Sequence, residues 1–288
     1  MTIRVLGVHG VGNYRRERTA ESWAATWAAY LREGFREGPV PDLSLTFAYY
    51  APALHLATSQ GPQDLEQLRE DEVDDVWAWL IASGMPTGAT AEGRVTKPIR
   101  QGIEWFARTY GLDHDVVKKL VVSFFPEVGT YFAPQHTERR QRALDIVRQA
   151  LDTQQPHIVL AHSLGSVVTY EALWQEPHHD IDLLITLGSP LAMPTVVYDR
   201  LAHPRDGRPR KPPGVARWVN VADPGDFISI LRPLSAHFDG VEACLEPAIH
   251  ALDFHMARHY LSSPTVAALV TEFATGTGPR GIPEQPSS

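Results

Sequence analysis

The stretch "HIVLAHSLGSVVTYEAL", residues 157–173, decides the fold. Its first half is an apolar run of strand length, and its second half carries apolar residues at helical spacing. Between the halves stands Ser163, in the setting Ala161-His162-Ser163-Leu164-Gly165. A serine at such a corner has two readings. It can cap the helix. It can also be a nucleophile lifted out of the backbone by a sharp, strained turn, which needs small neighbours because strand and helix approach closely there. The pattern follows G-x-S-x-G except that Ala161 replaces the first glycine.

Strands and helices alternate on both sides of this corner. "IRVLGVH" (3–9) predicts a short buried strand, and Trp23, Trp27, Tyr30 and Leu31 predict a helix over 18–34. "LSLTFAYYA" (43–51) predicts a second strand. After the corner, "IDLLITLGS" (181–189), "ARWVNVAD" (216–223) and "GVEACLEP" (240–247) read as strands. "TERRQRALDIVRQALDT" (137–153) and a region within 254–273 read as helical. Apolar strands separated by helices point to an α/β fold, a mostly parallel sheet with helices on both faces. Residues 53–135 break the alternation. Leu65, Leu68, Val73, Val76, Trp77 and Leu80 predict an amphipathic helix with an acidic outer face, and further helices are expected near 97–110 and 113–123. The reading is one domain over 1–275 with a helical insertion at 53–135 and a disordered tail at 276–288. "HPRDGRPRKPPG" (203–214) reads as a flexible basic surface loop.

Composition narrows the function classes. The chain has 288 residues, 43% hydrophobic, with a net charge of −8, which is ample for a core and lacks the basic face of a nucleic-acid binder. Its single cysteine, Cys244, excludes an internal disulfide framework and a Cys-rich zinc site. The opening "MTIRVLGVHG" carries no basic region before a long apolar core, so no signal peptide is expected. No apolar run is long enough for a membrane span. These features lead to the expectation of a cytoplasmic protein.

A nucleophilic serine needs a base, a group that orients the base, and donors for the oxyanion. His9-Gly10-Val11-Gly12 follows the first strand, where the Val11 amide could join the Leu164 amide as an oxyanion hole, with His9, Gly10 and His162 lining the substrate site. Gly12 does not begin a dinucleotide fingerprint, because Arg15 stands where the next glycine would be required. "WVNVADPGDFIS" offers two acids. Asp223 could equally cap the Pro-Gly turn, and Asp226 is favoured because Phe227 and Ile228 could anchor it. For the base, His237, His250, His255 and His259 follow the acid. His255 is chosen because a loop can project it over the strand ends, with His259 second.

Metal readings are set aside. His255 and His259 have i, i+4 spacing, but "HMARH" lacks the glutamate of the zinc-protease motif and carries Arg258. His178-His179-Asp180 reads as a solvated loop. The acidic run at 64–75 reads as a solvated helix face. Trp77, Trp79, Trp105 and Phe106 suit either an acyl pocket or a helical core.

Taken in order, "VHGVG", "AHSLGS", "TLGSPL", "WVNVADPGDFIS" and "HMARHYL" resemble the α/β-hydrolase superfamily, most closely its lipase- and serine-esterase-type members. The resemblance runs over roughly residues 3–270. It implies Ser163 as nucleophile, Asp226 as acid, His255 ahead of Tyr260 as base, and Ser189 as a neighbour of the site. It also implies a lid or acyl pocket from 53–135. The implied activity is ester hydrolysis on a small-molecule or lipid ester through an acyl-enzyme, a route that needs no cofactor or metal. An acyltransferase or thioesterase would use the same triad, and a silent binding protein could keep the same fold.

Overall fold

The computed structural model describes residues 2–36, 38–55, 64–86, 96–204, 207–231, 233–249 and 255–277. Its centre is a six-stranded sheet in the order β2-β1-β3-β4-β5-β6, every neighbouring pair parallel. The strands are β1 (Ile3–Val8), β2 (Leu43–Ala48), β3 (Ile158–His162), β4 (Ile181–Leu187), β5 (Val215–Val221) and β6 (Ala243–Leu245). Every residue of β3 is buried, which is why "IVLAH" carries no polar alternation.

Among the described residues the helices are α1 (Ala20–Gly34), α2 (Ala51–Leu54), α3 (Glu70–Ala82), α4 (Thr96–Tyr110), α5 (His114–Phe132), α6 (Thr137–Gln154), α7 (Leu164–Gln175), α8 (Ala257–Leu261) and α9 (Pro264–Thr275). Side chains set several starts. Thr19 and Ser22 form a reciprocal capping box on α1, and the Asp113 carboxylate accepts from the amides of Asp115 and Val116 at the head of α5. Ser263 caps α9, with Pro264 in its first turn.

Two apolar clusters lie on opposite faces of the sheet. One joins Leu6, Val8, Val159 and Ala161 to α6, α7 and the helices α3–α5, with Trp79, Phe106 and Phe125 fully buried. The other joins Ile3, Val5, Ile158 and Leu160 to Trp27 and Leu31 of α1 and to Val266 and Val270 of α9. Each such side chain taken from water contributes about 1.5–3 kcal/mol. Trp79 and Phe106 are therefore core residues of the α3–α5 block, and Trp77 and Trp105 pack half-buried against the same cluster.

The sequence reading needs correction in three places. α5 runs to Phe132 rather than stopping near 123, although Pro126 lies inside it. Proline removes one helical donor, but the helix is fixed by packing, with Phe124, Phe125, Val128 and Tyr131 all buried. The acidic run is not uniformly solvated. Glu72 and Asp75 are buried, Glu72 against the Arg69 guanidinium at 2.9 Å and Asp75 against Arg200 at 2.9 Å. The described part of 203–214 is tied down rather than loose. Arg208 pairs with Asp239 at 3.3 Å, and Lys211 donates to the Ala216 carbonyl at 2.6 Å. Most of the expected tail, 278–288, and the candidate base His250 lie outside the described residues.

The topology fixes where a ligand can sit. From β1 the chain crosses to β2 on one side, and it returns through β3 on the other side of β1. Ligands of open α/β sheets gather at the carboxyl end of such a switch point. The loop after β1 and the corner after β3 both lie there, since Val8 pairs with Ala161 in register.

Candidate active site

Ser163 occupies the corner between β3 and α7 at φ 54°, ψ −130°. A non-glycine residue rarely holds this conformation, and it persists only where the surroundings impose it. Those surroundings are visible. The Ser163 amide donates to the Leu187 carbonyl at 3.0 Å, and the Ser166 amide and hydroxyl both donate to the Ser163 carbonyl, at 2.9 and 2.6 Å. The Ser166 hydroxyl in turn lies 2.7 Å from that of Ser189. The side chain of Ser163 makes no capping bond to α7, so helix capping does not explain the serine.

Close approach explains the small neighbours. A Cβ on Gly165 would overlap the carbonyl oxygens of Val8 and His9, and one on Gly10 would overlap the Ser163 Cβ. Ala161 departs from the motif at no cost, because its position is an ordinary buried strand residue paired with Val8 and Thr186.

Three distant segments meet at the serine. His255 Nε2 lies 2.7 Å from Ser163 Oγ, and His255 Nδ1 lies 2.8 and 3.0 Å from the two carboxylate oxygens of Asp226. Asp226 is 1% exposed and receives two further donors, the Tyr260 hydroxyl at 2.6 Å and the Ile228 amide at 3.0 Å. Burial and the neighbouring Asp226 charge raise the Tyr260 phenol well above its ordinary value, which keeps it a donor. Asp223 is engaged elsewhere. Its carboxylate accepts from the Gly225 amide at 2.6 Å and the Ile249 amide at 2.5 Å. His259 sits within α8 and His237 follows a short turn near Tyr198.

The loop after β1 faces the same corner. The Val11 and Leu164 amides have no hydrogen-bond partner among the described residues. Asn13 holds the loop by donating to the Gly10 and Val11 carbonyls, both at 2.9 Å. The His9 ring does the same from below. Its Nδ1 donates to the Gly10 carbonyl at 2.7 Å, while Nε2 accepts from the amides of Tyr50 and Ala51 at 3.1 and 3.2 Å. Burial lowers its pKa to about 4, so the ring is neutral and both nitrogens are committed to backbone. His162 is buried beside the ring of His255, centroids 5.0 Å apart. Burial first, and then the His255 charge, hold it well below the ordinary histidine range.

Several participants escape sequence reasoning. Glu127 on α5 accepts from the Gly12 amide at 2.8 Å, while its other oxygen is buried without a partner. Burial raises its pKa to about 7. The available signal was one acid inside the apolar run "VVSFFPEVGTYF". One turn earlier, Phe124 stands edge-on to His255 at 6.1 Å. The Tyr260 hydroxyl and the Ser166–Ser189 pair carried no local signal of their contacts.

Ser163 is 0% exposed, shut beneath its neighbours in this conformation. A groove of about 950 Å³ lies instead between α1, β2 and α6, and none of the site residues just described lines it. Among the described residues, no helix is long and apolar enough to cross a membrane. No protein-family model matches the chain, and searches of curated proteins and of solved structures return no match.

Proposed function

We propose that the chain is a serine hydrolase of carboxylic esters, an α/β-hydrolase of the lipase or serine-esterase kind. The observation that carries this reading is the continuous hydrogen-bond chain Ser163–His255–Asp226, anchored on a serine held at positive φ. A helix cap would need neither the strain nor the histidine.

The chemistry follows from the atoms. His255 Nε2 takes the proton from Ser163 Oγ as that oxygen attacks the acyl carbonyl. Asp226 accepts from Nδ1–H, fixes the tautomer and offsets the imidazolium charge. Tyr260 and the Ile228 amide hold the carboxylate in place for that role. The Val11 and Leu164 amides supply the oxyanion donors, each of which contributes about 3–4 kcal/mol to lowering the barrier. His255 returns the proton to the leaving alcohol, and water cleaves the acyl-enzyme by the same steps in reverse. Phe124 gives the acyl side an apolar wall beside the base.

The test is labelling with a fluorophosphonate probe. The wild type should label and Ser163→Ala should not. A wild type that fails to label, or a variant that labels equally, removes the reading. An ester series of rising acyl length then separates a lipid-directed enzyme from one of short, soluble esters.

A further inference from the structure

We propose that the corner where α6 and α7 end binds a zinc-like divalent transition-metal ion through Asp152, His178, His179 and Glu176. The site lies at the amino edge of the sheet, two residues before β4 and on the far side from Ser163, so its role is structural and independent of the ester chemistry.

The four side chains come from three places in the chain. Asp152 is in the last turn of α6, Glu176 caps the end of α7, and His178 and His179 form the turn into β4. One ligand atom from each lies within 4.8 Å of all the others. His178 Nε2 and His179 Nδ1 are each 3.6 Å from the same Asp152 oxygen. That is too long for a hydrogen bond. It is close to the spacing of two ligands around one tetrahedral zinc, about 3.4 Å for bonds of about 2.0–2.1 Å. The remaining contraction falls on exposed Asp152 and His178, which are free to move.

The surroundings also favour a cation. α6 and α7 both present their carboxyl ends here, where unpaired carbonyls carry partial negative charge. His179 is 8% exposed, so its ring is held in place beside Asp152. A cavity of about 450 Å³ opens at the same place, lined by Asp152, His178 and His179 together with Arg4 and His157. Glu176 is already paired with Arg148 at 2.8 Å. Asp152 and the two imidazoles therefore form the core of the set, and Glu176 or a water closes the fourth position. Two nitrogens and a carboxylate suit zinc, cobalt or nickel, whereas magnesium and calcium require all-oxygen shells. Asp180, adjacent in sequence, is not part of the cluster.

The test uses the full chain stripped with a chelator and titrated calorimetrically with zinc chloride, with magnesium chloride as control. One zinc per chain is expected, with no heat from magnesium. His178→Ala, an exposed position that leaves the fold intact, and Asp152→Asn should each weaken binding at least about tenfold. Cobalt loaded in place of zinc should give the visible spectrum of a tetrahedral site. Equal binding of magnesium, no zinc binding, or unchanged affinity in both variants overturns the proposal. Fluorophosphonate labelling should be the same with and without zinc, so the outcome is separable from that of the ester reading.

Discussion

At the carboxyl edge of the sheet, Ser163, His255 and Asp226 are joined at 2.7–3.0 Å, with Ser163 and Asp226 buried and His255 partly so. At the amino edge, His178 and His179 each stand 3.6 Å from Asp152 beside a cavity. The residue types are nearly the same, and the difference lies in what completes them. In the first cluster both carboxylate oxygens of Asp226 are answered by protein donors, so the histidine ring is held in one orientation. In the second, histidines and carboxylate approach without bonding, an arrangement that suits an ion between them. Histidine beside carboxylate is thus no signature by itself. Distance and satisfaction decide its chemistry.

The largest expected effect breaks the first cluster alone. Ser163→Ala should lower kcat on an ester by about 10⁶-fold, measured by single-substrate hydrolysis, while leaving zinc binding unchanged. Next, Asp226→Asn should cost about 10⁴-fold in kcat. Asp223→Asn should instead lower stability by about 1–3 kcal/mol in urea unfolding, since its carboxylate answers the Gly225 and Ile249 amides. Equal kinetic losses in the two variants would erase the distinction drawn between these acids.

That distinction marks the limit of the sequence. Ser163 and its glycine were legible because a strand, a corner and a helix are contiguous there. Alternation made the parallel sheet legible for the same reason. Asp223 and Asp226 share one turn, and only the packing of Tyr260 and His255 separates them. Glu127 was hidden because its partner, the Gly12 amide, lies 115 residues away. The amino-edge cluster reads as a loop in the sequence because Asp152 and Glu176 reach it from the ends of two helices. Pro126 misled in the opposite direction, since local propensity yields to a well-packed helix face.

A third prediction concerns pH. The Glu127 pKa is raised from 4.5 to about 7, so the folded chain holds a proton there that the unfolded chain has released. Stability from this group is fully present below about pH 4.5 and is lost as pH rises toward about 7, by about 3 kcal/mol in all. His9, lowered from 6.5 to about 4, acts with the opposite sign, and its stability is lost as pH falls from about 6.5 to about 4. The two slopes oppose one another in the wild type. Glu127→Gln should unmask the slope of the buried histidines His9 and His162, becoming more stable relative to wild type at about pH 8 than at about pH 5. Parallel urea midpoints at both pH values would contradict the burial argument. The smallest effect belongs to the other edge. His178→Ala should leave ester turnover within about twofold of wild type, as a surface change away from the chemistry. A larger loss would mean that the two edges are coupled.

The helices α3–α5 touch the two halves of the candidate site separately. Glu127 grips the Gly12 amide beside the oxyanion loop, and the Trp79 indole donates to the Phe227 carbonyl next to Asp226 at 2.8 Å. The block is therefore a keystone more than a cover. Cutting it away would not bare a working centre, because the donors and the acid would each lose a fixed neighbour. A substitution on the inner face of α3 or α5 therefore reaches the loop after β1 or the turn that carries Asp226 through a single hydrogen bond.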